Sequence, residues 1–317
     1  MKFEGGLLES LPEEEKILEN NDSNIGKKPI DGLLEVAKEA GMEAKIIKIE
    51  NGGEFPEAII FKKEKIPSEK LVRLYRGIVC LDDSLLNQVP YTMRIENESG
   101  KPTIIENIRQ ESETLANNPT YENLLTYVNK VSFSLSEKEN QRMDKDLTDI
   151  EDDLLKGYSL RKSLIFGQAK HGVSWGEGGI NPYISATYNP FVAACYGKRG
   201  GVIVIDVPIS KIEDFNADTL DEVNIKGSLD KEYITAVLPS AHLGYRGRKG
   251  ISQEEIIEKE INIAIGKVNE SINVPLYNDE ELKRERKNKI ENQIEVDKQQ
   301  WGKDIKVLKG KRALESK

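Results

Sequence analysis

The spacing of apolar and polar residues divides the chain into helical and strand-like segments. Asp31 opens an apolar-periodic stretch that Gly41 closes, which predicts a helix with an N-terminal cap and a left-handed end. Two short apolar segments, residues 44–49 and 57–63, then flank the turn dipeptide Asn51–Gly52. This arrangement predicts a β-hairpin.

Residues 70–78 alternate in polarity, as expected for a strand with two different faces. One face carries Val72, Leu74 and Arg76, and the other carries Leu71, Arg73 and Tyr75. Arg76 therefore lies on an otherwise apolar face, directly before Gly77. An arginine in this place is also typical of an edge strand in which it pairs with a carboxylate, so the strand alone assigns it no function.

Residues 104–165 have apolar positions at three- and four-residue spacing. They predict a set of helices inserted between two strand regions. The Gly-rich residues 167–179 predict a flexible loop in which His171 and Trp175 line a cleft. This loop matches neither a phosphate-binding Walker loop nor a G-x-S-x-G nucleophile elbow.

Residues 181–209 carry hydroxyls, aromatic side chains and a tight turn next to a buried strand. A short strand ends in Ser185-Ala186-Thr187, and a helix of small residues follows. Residues 201–209 are apolar except for Asp206 and predict a buried strand. A polar stretch, residues 210–230, then leads to Glu232 and to a last strand.

The C-terminal part of the chain predicts helices. Residues 253–268 have helical spacing, although the apolar run INIAI within them is equally compatible with a strand. From Asn278 the chain is highly charged, with apolar residues at roughly helical spacing: Ile290, Ile294, Trp301, Ile305 and Leu308. We expect a solvated terminal helix. The basic residues 303–317 leave open a partner-binding or membrane-surface helix.

The composition narrows the class of protein. The chain has 317 residues, of which 38% are hydrophobic and 32% charged, so it is long enough for one large domain with sparse apolar content. The net charge of -9 argues against non-specific nucleic-acid binding. Two cysteines and two histidines argue against a disulfide framework and a structural zinc site, so we expect no metal.

No apolar run is long enough to span a bilayer, and the first residues lack the pattern of a secretory signal. We therefore expect synthesis in a cytosol, no transmembrane segment, and export, if any, without a cleaved signal peptide.

Three short segments place an arginine, a serine and a glutamate at predicted strand ends: LYRG at Arg76, YISAT at Ser185 and DKEYITAVLP at Glu232. This order resembles the arginine–serine–glutamate class of mono-ADP-ribosyltransferases, which includes bacterial toxins and secreted effectors. In that class the arginine ends the first core strand and is often followed by glycine. An aromatic-x-Ser-Thr-Ser segment begins the second block, and a glutamate opens a later strand. The resemblance covers roughly residues 65–245.

The resemblance implies that NAD is the substrate and that Glu232, Arg76 and Ser185 are catalytic. Glu232 would accept a hydrogen bond from the ribose 2′-hydroxyl and favour an oxocarbenium-like transition state, and Ser185 would hold Glu232 in position. Arg76 would pair with the phosphates or the ribose of NAD. Glu222 is the second choice for the acid.

The resemblance also implies a binding surface around these three residues. The backbone of Gly77 would bind the nicotinamide carboxamide, and Tyr188 or Phe191 would stack on a ring. The middle threonine of the family motif is missing, although Thr187 still supplies a hydroxyl. Asp230 replaces a residue that is often Glu or Gln and that faces the acceptor, so the acceptor residue stays open.

We therefore expect an α+β fold with two packed, mostly antiparallel sheets around an NAD cleft. The expected regions are a loosely ordered lead-in over residues 1–30, a catalytic domain over 31–250 with the helical insertion 104–165, and a charged, mostly helical extension over 251–317. The expected function is transfer of ADP-ribose from NAD to a protein side chain in a host cell.

Three alternatives stay open. Water could take the ribose, as in an NAD glycohydrolase. The chain could be an inactive binding module that acts through its C-terminal extension. The acceptor could be a nucleic acid, which the net charge disfavours. A thiol mechanism with Cys195 and His242 is disfavoured because Cys195 lies among small apolar residues.

Overall fold

The computed structural model describes residues 29–63, 68–78, 88, 94–96, 102–104, 108–133, 135, 137–171, 180, 182–196, 200–214, 222–241 and 253–315. The helices are α1 (Pro29–Glu39), α2 (Arg109–Asn117), α3 (Tyr121–Ser132), α4 (Glu137–Leu155), α5 (Leu160–His171), α6 (Pro190–Tyr196), α7 (Gln253–Ser271) and α8 (Asp279–Glu315). The strands are β1 (Ala44–Lys48), β2 (Glu57–Phe61), β3 (Leu71–Ile78), β4 (Arg94–Glu96), β5 (Pro102–Ile104), β6 (Tyr183–Ala186), β7 (Gly201–Pro208), β8 (Ile212–Glu213), β9 (Val223–Lys226) and β10 (Ile234–Pro239). The predicted lead-in lies almost entirely outside the described residues.

Antiparallel sheets organise the described chain. The larger sheet has five strands in the order β1-β2-β10-β7-β3, and a second sheet has three strands in the order β6-β9-β8. Every neighbouring pair in both sheets is antiparallel. The predicted α+β class with antiparallel sheets is therefore confirmed, and so is the hairpin of β1 and β2, whose turn holds Asn51 at a φ of 59°.

The two faces of the five-stranded sheet pack against different partners. One face shares a core with the three-stranded sheet and with α1, and Val72 and Leu74 point into that core. The opposite face packs against α6 and α7, and Tyr75 belongs to that core. The alternation predicted for residues 70–78 is therefore confirmed, because successive strand residues point to opposite faces.

The helices between β3 and β6 form a core of their own with the second half of α8. Tyr121, Tyr127 and Leu154 are fully buried there, and Leu308 of α8 is fully buried with them. Trp301 of α8 packs on the same core and donates a hydrogen bond to the Leu154 carbonyl at 2.9 Å. The prediction of a helix from Asn278 onward is confirmed. The inserted helices cover Trp301, Ile305 and Leu308 of its apolar stripe, whereas Ile294 is exposed, so the expected solvated helix is correct only for the first half.

Two further expectations are corrected. α5 continues through the first residues of the predicted Gly-rich loop as far as His171. Gln168, Ala169 and Lys170 are good helix formers that offset a single glycine at Gly167. The remainder of that loop, residues 172–179, lies outside the described residues, including Trp175.

The polar stretch 210–230 contains two short strands, β8 and β9. Each has too few alternating residues to be recognised from its period alone. The ambiguous run INIAI is helical, as part of α7.

A buried ion cluster connects the inserted helices, the three-stranded sheet and α8. Arg161 of α5 is 5% exposed and donates to Glu213 of β8 and to Asp297 of α8, the latter at 2.8 Å. The Lys226 ammonium of β9 lies 3.2 Å from the second oxygen of Glu213. Since Glu213 is 1% exposed, its charge is balanced by Arg161 and Lys226 together.

We expect Arg161→Met to destabilise the protein by about 3–5 kcal/mol, because it leaves Glu213 and Asp297 without their shared guanidinium. Urea unfolding followed by circular dichroism measures this change. The matched control is Lys287→Met, which removes a charge whose side chain is 70% exposed and should change stability by no more than about 0.5 kcal/mol. Equal effects of the two substitutions would show that the cluster does not hold these elements together.

Candidate functional site

The two sheets meet where β3 approaches the end of β6. Tyr75 and Thr187 exchange two backbone hydrogen bonds, of 2.8 and 2.9 Å, across this junction. Arg76, the residue after Tyr75, donates a hydrogen bond from its guanidinium Nη1 to the carbonyl oxygen of Ser185, two residues before Thr187. The structure thus brings together two predicted site residues that are 109 positions apart in the sequence.

The turn after β6 explains why a short helix starts there. The Thr187 hydroxyl accepts a hydrogen bond from the Asn189 backbone N–H at 3.0 Å. The Asn189 side-chain oxygen in turn accepts one from the Phe191 backbone N–H at 3.0 Å. These bonds satisfy amide groups at the start of α6. Thr187 is 4% exposed, so its hydroxyl serves this turn rather than an open surface.

The aromatic residues predicted to stack on a ligand are packed within the protein. Tyr188 borders the core between the two sheets, and the Arg286 guanidinium carbon of α8 lies 4.3 Å from its ring centroid. Burial raises the pKa of the Tyr188 hydroxyl. Phe191 packs on the core beneath α7. Gly77 is half-buried within β3, opposite Val202 of β7.

Glu232 and Asp230 lie in the turn that precedes β10. Lys231–Tyr233 forms one turn of 3-10 helix, closed by a 3.0 Å hydrogen bond from the Tyr233 N–H to the Asp230 carbonyl. Both carboxylate side chains are exposed. Lys63, which follows β2, donates hydrogen bonds to the carbonyl oxygens of Glu232 and Ile234. The backbone of this acidic turn is therefore anchored from a neighbouring strand.

The strand register places Glu232 away from Arg76. Leu74 and Ile234 both pair with Ile205, one on each side of β7, so β3 and β10 run parallel. Arg76 follows Leu74 by two residues and Glu232 precedes Ile234 by two. Since Lys231–Tyr233 is a turn of 3-10 helix and not strand, the register gives the direction of Glu232 and no distance. Arg76 and Ser185 are thus close together, whereas Glu232 lies across β7 from Arg76 and toward the opposite end of the sheet.

Glu222 lies closer to the Arg76–Ser185 contact in register. It immediately precedes β9, and the next residue, Val223, pairs with Ala186. Continuing that register places Glu222 beside Thr187, and its side chain is exposed. In the sequence, the alternation of Val223 and Ile225 indicates a short strand that begins directly after Glu222. Glu222 therefore precedes β9 much as Glu232 precedes β10.

A second polar cluster lies near Glu232, and the sequence analysis did not predict that its residues contact one another. Asp206 of β7 is completely buried, and Arg73 of β3 donates to both of its oxygens at 2.7 Å. The Thr235 hydroxyl donates to the same carboxylate at 2.6 Å. Burial, opposed in part by the nearby Asp206, lowers the pKa of the Lys63 ammonium to about 8. In the sequence, the signal for this cluster was Asp206, the one polar residue in the otherwise apolar strand β7.

Comparison of the chain with protein-family models, with curated proteins and with solved structures finds no match. Within the described residues, no group of three or more His, Cys, Asp or Glu side chains is placed to hold a metal ion. None of the described helices combines the length and apolar character needed to cross a membrane.

The lowered pKa of Lys63 has a consequence for stability. Between pH 8 and 10 the unfolded chain, in which a lysine has a pKa of about 10.4, binds more protons at this position than the folded chain. Stability should therefore rise with pH across this window, by up to about 2 kcal/mol from this residue.

Lys63→Met should remove that rise, so the stability difference between the parent protein and the variant should change with pH. Urea unfolding at pH 7, 8, 9 and 10 measures it. The control is Lys303→Met, an exposed position on α8. A stability difference between parent and Lys63→Met that stays constant across the four pH values would show that Lys63 titrates normally.

Proposed function

We propose that this protein is a mono-ADP-ribosyltransferase that moves ADP-ribose from NAD to a protein side chain and releases nicotinamide. The observation that carries the proposal is the hydrogen bond from Arg76 to the Ser185 carbonyl at the junction of the two sheets. It joins two of the three segments that resemble this enzyme class. The setting we propose is a bacterial effector or toxin that acts on a host protein.

The chemistry needs a fixed grip on NAD and negative charge beside the ribose. The bond between the ribose and nicotinamide breaks, and its electron pair stays on the ring nitrogen, so nicotinamide leaves as a neutral molecule. The acceptor side chain then forms a bond to the same ribose carbon and loses a proton. A carboxylate that faces the ribose stabilises the positive charge that develops between these two events.

Each proposed residue supplies one part of this chemistry. Arg76 binds the phosphates or the ribose with its fork of N–H donors. Ser185 positions the acid, which requires the acid side chain to reach the β3–β6 junction where Ser185 contacts Arg76. Glu232 is the proposed acid, and the exposed Asp230 two residues before it faces the acceptor. The backbone of Gly77 binds the carboxamide.

Because Glu232 is separated from Arg76, the path of NAD in the proposed site depends on which glutamate is the acid. If Glu232 is the acid, NAD extends along the sheet from the β3–β6 junction toward the turn before β10. If the ribose instead stays at the junction, Glu222 is the carboxylate within reach in the strand register. The two acids therefore make a matched pair for substitution, because both are exposed and precede a strand.

We expect Glu232→Gln to lower transfer by about 100- to 1,000-fold, the size of effect seen when one charge-stabilising group is removed. Glu222→Gln should leave transfer within about threefold. The measurement uses biotin-labelled NAD and the full-length protein with a host-cell lysate, and it follows both labelled protein and released nicotinamide. The reverse pattern would assign the acid to Glu222.

Other outcomes separate the rival functions. Nicotinamide release without labelled protein would indicate an NAD glycohydrolase. Intact NAD after prolonged incubation with the folded protein and lysate would contradict the proposal and favour a binding module. Arg76→Lys keeps the charge but loses the planar fork, so it should also lower transfer if Arg76 grips NAD.

A further inference from the structure

A cavity of about 350 Å³ lies between the β1–β2 hairpin and the segment that follows α7. Its lining includes Lys45, Lys62 and Lys63 from the hairpin side and Ser271 to Val274 from the other side. Pockets that hold small organic ligands begin at about this volume. The cavity lies outside the β3–β6 junction that carries Arg76 and Ser185.

The charges around this cavity favour an anion. Among the described lining residues three are lysines and one is an acid, Glu43, which is paired with Lys62 at 2.7 Å. Lys63 also faces the Glu232 carboxylate, so Lys45 supplies the unbalanced positive charge of the described lining. The C-terminal end of α7, at Ser271, opposes it with about half a negative charge. This half charge is smaller than the positive charge that the lysine side chain contributes.

The remaining lining suits the apolar body of a ligand. Ile60 and Phe61 are buried in the cores on opposite faces of β2, so the half-buried Ile272 and Val274 supply the apolar lining that is open to a ligand. Asn273 adds an amide that can both donate and accept hydrogen bonds. A lining that is mostly apolar, with a few polar groups, is typical of small-molecule sites.

We propose that this cavity binds a small molecule of the mononucleotide class, with an aromatic body and one phosphate, and that Lys63 transmits its binding to the turn that carries Glu232. The binding itself does not depend on the proposed function, whereas an effect on catalysis rests on it. The ligand would be a regulator, bound apart from Arg76.

Lys63 connects the cavity to the acidic turn through its hydrogen bonds. Lys63 is a lining residue of the cavity, and its ammonium donates to the Glu232 and Ile234 carbonyl oxygens. A phosphate in the cavity competes with these two carbonyls for the ammonium, which loosens the turn. The other charged groups that face Lys63 are Asp206 on β7, Arg73 on β3 and the Glu232 carboxylate. These three charged groups are present whether the cavity is empty or occupied, so they do not account for a change on ligand binding.

The test is calorimetric titration of the full-length protein with AMP and with adenosine at pH 7. We expect AMP to bind at least 10-fold more tightly than adenosine, because only AMP carries the phosphate. Lys45→Glu, at an exposed position, should weaken AMP binding at least 10-fold. The matched control Lys303→Glu, on the exposed side of α8, should leave it unchanged.

Two further arms locate the bound ligand and its effect. Arg76→Lys should change the affinity of the Lys45-dependent AMP site by less than about twofold, since Arg76 is not part of the cavity. AMP bound at the proposed NAD site would be a separate component that Lys45→Glu does not affect. Hydrogen exchange of residues 230–239 should become faster when AMP is bound, and Lys63→Met should remove that difference.

Each contrary result overturns the proposal. Absent AMP binding, equal affinity for adenosine, or insensitivity to Lys45→Glu would exclude a phosphate site in the cavity. Loss of binding in Arg76→Lys would place AMP at the β3–β6 junction. Unchanged exchange of residues 230–239 would exclude the coupling. AMP binding that follows the expected pattern in a protein that does not cleave NAD would uphold this inference while refuting the proposed function.

Discussion

The buried Arg161 guanidinium is the constraint on which the arrangement of the described parts depends. It lies between Glu213 of the three-stranded sheet and Asp297 of α8, and it is carried by the inserted helix α5. A buried carboxylate is tolerated only when a cation and hydrogen bonds compensate the loss of water. Each of the three elements therefore needs the other two in place, which fixes α8 against the inserted helices and both against the sheet.

The same constraint reaches the candidate site through strand pairing. Glu213 pairs with Asn224 across β8 and β9, and Asn224 pairs with Ser185 across β9 and β6. The position of Ser185 is thus linked to the ion cluster by two backbone ladders. β3 in turn is held at Leu71 by residues 275–277, just before α8, and at Tyr75 by Thr187. These two points, at the start and near the middle of β3, hold Arg76 next to Ser185.

Two lysine side chains hold the backbone of short turns by donating hydrogen bonds to carbonyl oxygens. Lys63 holds the turn before β10, and Lys289 of α8 donates to the Ile209 and Ile212 carbonyls beside β8. Burial lowers the pKa of both ammonium groups to about 8. A neutral amine still has two N–H donors, so either protonation state can satisfy two carbonyl oxygens. Each lysine thus fixes the backbone next to the end of a short strand.

Local patterns in the sequence by themselves determined the helices, the hairpin of β1 and β2, the strands β3, β7 and β10, and the two faces of β3. Their signals are periodicities and turn residues, which act between neighbours in the chain. Only the tertiary structure decided the rest, because it depends on contacts between residues far apart in sequence. Those contacts cover the second half of the apolar stripe of α8, complete the short strands β8 and β9, and place Arg76 against Ser185. They also set Glu232 across β7 from Arg76 and toward the opposite end of the sheet, and they put Glu222 beside Thr187, since strand register is fixed by pairing and not by the order of motifs along the chain.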